Sequence, residues 1–72
     1  MKSIKIKNEY ITLGQLLKLA DVISSGGEVK FFLAEHTLEV NGERETRRGR
    51  KLFPGDLLVI DHQHQLKVVK DP

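Results

Sequence analysis

The chain has 72 residues, 39% apolar and 31% charged, with no cysteine and a formal net charge of +2. That length holds one domain, residues 1–72, burying only about 60% of the surface its unfolded chain exposes, so a core leaves little room for a deep catalytic cleft. The balance suits a soluble globular fold and excludes a disulfide framework and a thiolate metal site; no apolar run approaches the roughly 18 residues of a membrane span.

In chain order, "MKSIKIKNEY" is polar and alternating, unlike a signal peptide, and the expected compartment is the cytoplasm. Ile4 and Ile6 against Lys5 and Lys7 predict a half-buried N-terminal strand. Thr12 followed by Gln15 fits a capping box, and Leu13, Leu16, Leu17 and Ala20 mark one face of a first helix. Gly14 in its first turn is a mild cost. Ser25 and Glu28 form a second capping box, and Val29, Phe32 and Leu33 stripe a short second helix ending near Glu35. "SSGGE" lacks the lysine and hydroxyl ending of a phosphate-binding P-loop.

Strands follow. "TLEV" alternates, with Leu38 and Val40 on one face; Asn41-Gly42 is a type I′ hairpin signal and "ERET" the expected return strand. "FPGD" reads as a second turn, with Pro54 at its second position and Gly55 at its third. "LLVI" predicts a buried strand, "DHQHQ" a polar turn and "LKVVK" the last strand. The fold class is α+β: two short helices packed on a small, mostly antiparallel sheet, with an added N-terminal strand.

The charge is unevenly spread. Residues 44–51 hold Arg44, Arg47, Arg48, Arg50 and Lys51 against Glu45 alone, a net of +4, leaving 7 basic and 9 acidic residues, or −2, for the rest. Such a patch is the footprint of an anion binder; the alternative is a solvated charged loop. An extended segment would point Arg48 and Arg50 one way and turn Arg47 and Lys51 elsewhere, unless Gly49 bulges the chain. His62 and His64, beside Asp61, would share a face on a strand and could hold a metal, but no third strong ligand stands nearby and the segment reads as a turn. Asn41, Gly42, Gly26, Gly27, Pro54, Gly55 and Asp56 read as scaffold.

A helical pair, then "GGEVKFFLAE", "VNGE", "RRGRKL" and "PGD" in that order and spacing resemble the S4 RNA-binding domain, also called the alpha-L RNA-binding motif, and more narrowly the small stand-alone bacterial S4 proteins of the YaaA type. The match runs from about residue 12 to residue 60. The resemblance implies a fold whose helices and hairpin shape an RNA-binding surface, and no reaction. It assigns an RNA-facing role to Lys30 on the second helix, off the apolar stripe. Three departures stand out. "TLG", Thr12 to Gly14, replaces the arginine-leucine-aspartate-like triplet that usually opens helix 1, removing one phosphate contact. His36 stands where a glycine usually follows helix 2, a place that would need positive φ and some strain. Phe31 occupies an outward, usually polar position, either packed under the N-terminal strand or exposed.

The expected function is non-catalytic RNA binding with no cofactor and no metal. The partner would be structured ribosomal or transfer RNA, in ribosome assembly or translation. A monomer would grip it through phosphate contacts from Lys30, Arg47, Arg48, Arg50 and Lys51. Lys18, on the polar face of helix 1, and Arg44, flanked by Glu43 and Glu45 that could neutralise it, are further candidates. A scarcity of exposed aromatic residues argues for reading shape and backbone rather than stacked bases. The rival from another class is a protein-interaction module, docking its basic hairpin on an acidic partner or using "LKVVK" as an edge for strand addition.

Overall fold

The computed structural model describes residues 1–72 and shows an α+β arrangement. The elements are β1 (Lys2–Ile6), β2 (Ile11–Thr12), α1 (Leu13–Leu19), a 3-10 turn (Gly26–Glu28), α2 (Val29–Glu35), β3 (Leu38–Val40), β4 (Glu43–Arg44), β5 (Lys51–Leu52), β6 (Leu57–Ile60) and β7 (His64–Lys70). No helix is long and apolar enough to cross a membrane.

The helices form where local chemistry directs. The Gln15 N–H donates to Thr12 Oγ1 at 3.3 Å and the Thr12 N–H to Gln15 Oε1 at 3.1 Å, the reciprocal capping box. Leu13, Leu16 and Leu17 are fully buried, and burying each contributes about 1.5–3 kcal/mol. Asp21 ends α1 at φ 63°, with Val22 N–H on Leu17 O and Asp21 N–H on Lys18 O. This is a Schellman cap built on aspartate rather than glycine, so the usual sequence signal is missing. Before α2, Glu28 Oε2 accepts from the Ser24 N–H, the Ser24 hydroxyl and the Ser25 N–H at 2.7, 2.6 and 2.7 Å. These bonds lower the carboxyl's pKa, the Ser24 hydroxyl first.

There are two sheets, not one. The larger has the order β1-β7-β6-β3-β4, with β1 parallel to β7 and every other pair antiparallel; β2 and β5 form a separate antiparallel pair. In the parallel ladder Ile4 lies opposite Val68, both buried, which ties the N-terminal strand to the last one. β7 is bonded on both sides, so strand addition at "LKVVK" has no free edge there. β6 is the central strand, yet Leu58 and Ile60 are buried while Leu57 and Val59 are half-exposed. The apolar run is covered on one face only.

Both turns that bracket the basic stretch take the expected form and are bonded to each other. Asn41 (φ 52°) and Gly42 (φ 87°) make the hairpin turn, and Gly55 (φ 99°) closes the second. Asn41 Nδ2 donates to Asp56 Oδ1 at 3.0 Å, and Asn41 Oδ1 accepts from the Leu57 N–H at 3.0 Å. The return strand is only Glu43–Arg44; from Glu45 the chain turns off. His36 has φ −120° and ψ 154°, extended rather than left-handed, so helix 2 ends without strain at that residue. Phe31 is 68% exposed and does not pack under β1.

Candidate nucleic-acid interface

Residues 45–50 are neither strand nor bulge. They form a loop closed by a turn in which the Arg50 N–H donates to Arg47 O at 3.2 Å, with Gly49 outside the left-handed region. Two longer-range bonds dock this turn on helix 1. The Leu13 N–H donates to Arg50 O at 2.8 Å, and the Gly14 N–H to Arg48 O at 2.9 Å. The first free amides of α1 are therefore satisfied by the turn's own carbonyls. The turn is held by its backbone, which leaves its side chains to be sorted by what they meet.

Glu45 does the sorting. Its side chain is only 6% exposed and lies among donors. Oε2 accepts from the Thr46 N–H, the Arg47 N–H and Arg47 Nε at 3.0, 2.9 and 3.0 Å; Oε1 accepts from Arg47 Nη2 at 3.1 Å and Arg50 Nη1 at 2.8 Å. The Arg47 guanidinium foremost, then its amide and Arg50, hold this carboxyl far below the usual carboxylate range, against the opposing effect of burial. The same contact raises the pKa of Arg47. Glu45 thus pairs with Arg47 and Arg50, not with Arg44 as a neutralising neighbour. Arg50 is spent largely on structure, at 33% exposure, while Arg47 is bound to Glu45 yet 73% exposed.

The other cations form no ion pair. Arg48 lies between two open grooves. One, about 480 Å³, is lined by Lys30, Leu33, Ala34, Arg44, Thr46 and Arg48. The other, about 650 Å³, has Arg48 and Gly49 on one side and Gln15, Lys18 and Gly27 among its remaining lining. Lys30 and Arg44, on different elements, are thus brought to one groove with Arg48, and Lys18 joins Arg48 in the next. Lys51 points elsewhere, its ammonium 4.8 Å from the Tyr10 ring centre.

A third basic groove was not anticipated from the sequence. It is about 520 Å³ and carries Lys5, Lys7 and Lys18 beside Tyr10. The alternation of β1 already turned Lys5 and Lys7 away from the core; what it could not show is that β1 lies near α1. Exposed aromatic residues are also less scarce than expected: Phe31, Phe53 and Tyr10 are 68%, 48% and 39% exposed. Contrary to the expected scarcity, three rings are exposed enough for a base to reach.

The largest cavity, about 680 Å³, lies elsewhere, beside His36, Asp61 and His64, and Lys2 is its only lysine or arginine. His36 Nδ1 is 2.6 Å from Asp61 Oδ2, and its ring stacks on Phe32 at 4.1 Å. The imidazole and the Thr37 N–H hold the Asp61 carboxyl below its ordinary pKa. His62 turns to Glu39 at 3.3 Å, while His64 begins β7 opposite Ile60. The two histidines are divided between turn and strand, and no three potential metal ligands come together.

A short helical pair on a small sheet, with a basic turn docked against the first helix, defines the class: the S4 domain family model matches residues 4–69, and the chain belongs to that family. The match extends past the stretch of about 12–60 that carried the resemblance, and takes in the last three residues of β1 and nearly all of β7. Among particular proteins, the chain is similar to the "Probable ribosome maturation protein RlbA" of Bacillus subtilis (strain 168). The two are 56% identical over 66 residues, which cover 92% of this chain and 93% of that protein.

Proposed function

We propose that this protein is a non-catalytic RNA-binding protein that grips structured ribosomal RNA during ribosome maturation in the cytoplasm, as a monomer, through the phosphate backbone. The observation that carries the reading is the position of Arg48, unpaired, between a groove it shares with Lys30 and Arg44 and one it shares with Lys18. Membership of the S4 domain family and similarity to a protein named for ribosome maturation support it. Arginine presents a planar fork of donors that matches a phosphate. Four cations along adjoining grooves suit successive phosphates of a folded RNA better than one small anion. Arg47 and Lys51 extend the surface; Arg50 contributes mainly by holding the turn.

A filter-binding salt titration with ribosomal RNA fragments tests this. Affinity falls steeply with salt, and Arg48→Ala or Lys30→Ala each flattens the slope of log K against log salt by roughly 0.7–0.9 if one phosphate contact is lost. Binding that ignores salt, or no binding, overturns the proposal.

A further inference from the structure

The basic turn also borders a groove that carries an aromatic residue and does not include Lys30. Arg47, Gly49, Arg50, Lys51 and Phe53 line an open groove of about 490 Å³. Its charged members are all cations, and nothing lies within 4 Å of where a Cβ on Gly49 would project, so the backbone at that point is accessible. The Phe53 backbone is tied down. Its N–H donates to Asp56 Oδ2 at 2.8 Å, and Pro54 restricts its backbone to extended conformations. The adjoining Leu52 is only 1% exposed, yet Phe53 is 48% exposed, its ring tilted 48° against Tyr10 at 5.9 Å. Lys51 lies over the face of Tyr10, and Phe53 is the more exposed ring of the pair.

We propose that this groove takes one unpaired nucleotide of the bound RNA, its base stacked on Phe53 and its flanking phosphates on Arg47 and Lys51. This rests on the RNA-binding reading above and narrows it: the target has a nucleotide bulged from its paired stem. The chemistry selects that ligand because a nucleotide joins a flat π face to an anion. An acidic peptide would use the cations and leave the ring bare, and a continuous duplex keeps its bases stacked within itself. Arg47 supplies an exposed guanidinium already oriented by Glu45, and Lys51 an ammonium that forms no ion pair and lies 4.8 Å from the Tyr10 ring centre.

The chain contains no tryptophan, so Phe53→Trp installs a single fluorescent reporter in the groove. Wild type, Phe53→Ala and Phe53→Trp are titrated with two ribosomal RNA hairpins of equal charge, one fully paired to its loop and one carrying an unpaired purine in the stem. The expected result is that Phe53→Ala weakens binding to the bulged hairpin by roughly 5- to 150-fold, as loss of one stacked base does, and to the paired hairpin less than twofold. The Phe53→Trp emission is quenched by the bulged hairpin and little changed by the paired one. Thermal melts of both variants separate a folding defect from a binding one. If wild type binds both hairpins with steep salt dependence while Phe53→Ala shifts the two equally or not at all, the nucleotide groove is wrong and phosphate recognition stands. If wild type binds neither hairpin, the phosphate reading fails and this inference fails with it.

Discussion

The two flanks of β3 each carry a carboxylate that ties down a loop, and they do so with different partners. On the β4 side, Glu45 is nearly buried and bonded to two arginines. On the β6 side, Asp61 is 40% exposed and bonded to one histidine and one backbone amide. Arginine stays charged at every pH a protein meets, so the Glu45 anchor holds through neutrality and well into acid. The partner on the other flank is an imidazole, which carries a charge only when protonated. Burial also differs: a pair shielded from water resists salt screening, whereas a half-exposed one is weakened by it. The basic face therefore stands on the firmer of the two anchors.

Glu45→Ala should break the contrast most. It leaves Arg50 and Arg47 without their acceptor and is expected to cost about 2–3 kcal/mol. For a domain of this size that is a drop of roughly 10–20 °C in Tm, followed by circular dichroism. RNA affinity falls with it as the turn loosens. An unchanged melt would mean that Glu45 anchors nothing.

The acid limb of stability sharpens the same point. Because the folded protein holds the Glu45 carboxyl far below the ordinary value of about 4.3, the unfolded chain binds more protons as pH falls through that value. The stability Glu45 contributes is therefore full at neutral pH and is lost progressively from about pH 5 downward. Denaturant titrations at pH 3–7 should show this limb in wild type and a shallower one in Glu45→Gln.

Within the basic turn, Arg50→Ala and Arg48→Ala should separate cleanly. Arg50→Ala removes a bond to a buried carboxylate and should lower stability by about 1–2 kcal/mol. Arg48→Ala should leave stability within about 0.5 kcal/mol while weakening RNA binding and its salt dependence. Equal effects of the two variants on melting would erase the distinction between anchoring and free cations.

Asp61→Asn should cost less stability than either substitution in the Glu45 anchor. Asparagine accepts the left-handed backbone found there (φ 52°), so the substitution isolates the charge. A loss of no more than about 1 kcal/mol is expected in chemical denaturation, below that of Glu45→Ala.

Much of the fold was legible because it is specified locally. Thr12 and Gln15 cap a helix within four residues, and the leucine stripe faces inward by its spacing alone. Asn41-Gly42 and Pro54-Gly55 supply backbone torsions that few other pairs tolerate. The cluster of cations was legible too, as composition. Its division was not. Glu45, Arg47 and Arg50 lie so close in the chain that Glu45 looked like one acid diluted among cations, when it is the buried centre on which two of them close.

The amino-acid sequence by itself therefore determined the two helices, the turns and the presence of a basic stretch, since each depends on torsional preference or on periodicity over a few residues. Tertiary structure alone decided which cations are free. The amides of Leu13 and Gly14 fasten the turn to helix 1, β1 pairs with β7 across the length of the chain, and Lys30 and Arg44 meet Arg48 from separate elements. It also decided that Phe53 stays exposed beside those charges while Leu52 goes to the core. These contacts join residues distant in the chain, and their outcome depends on the packing of the whole domain rather than on any local pattern.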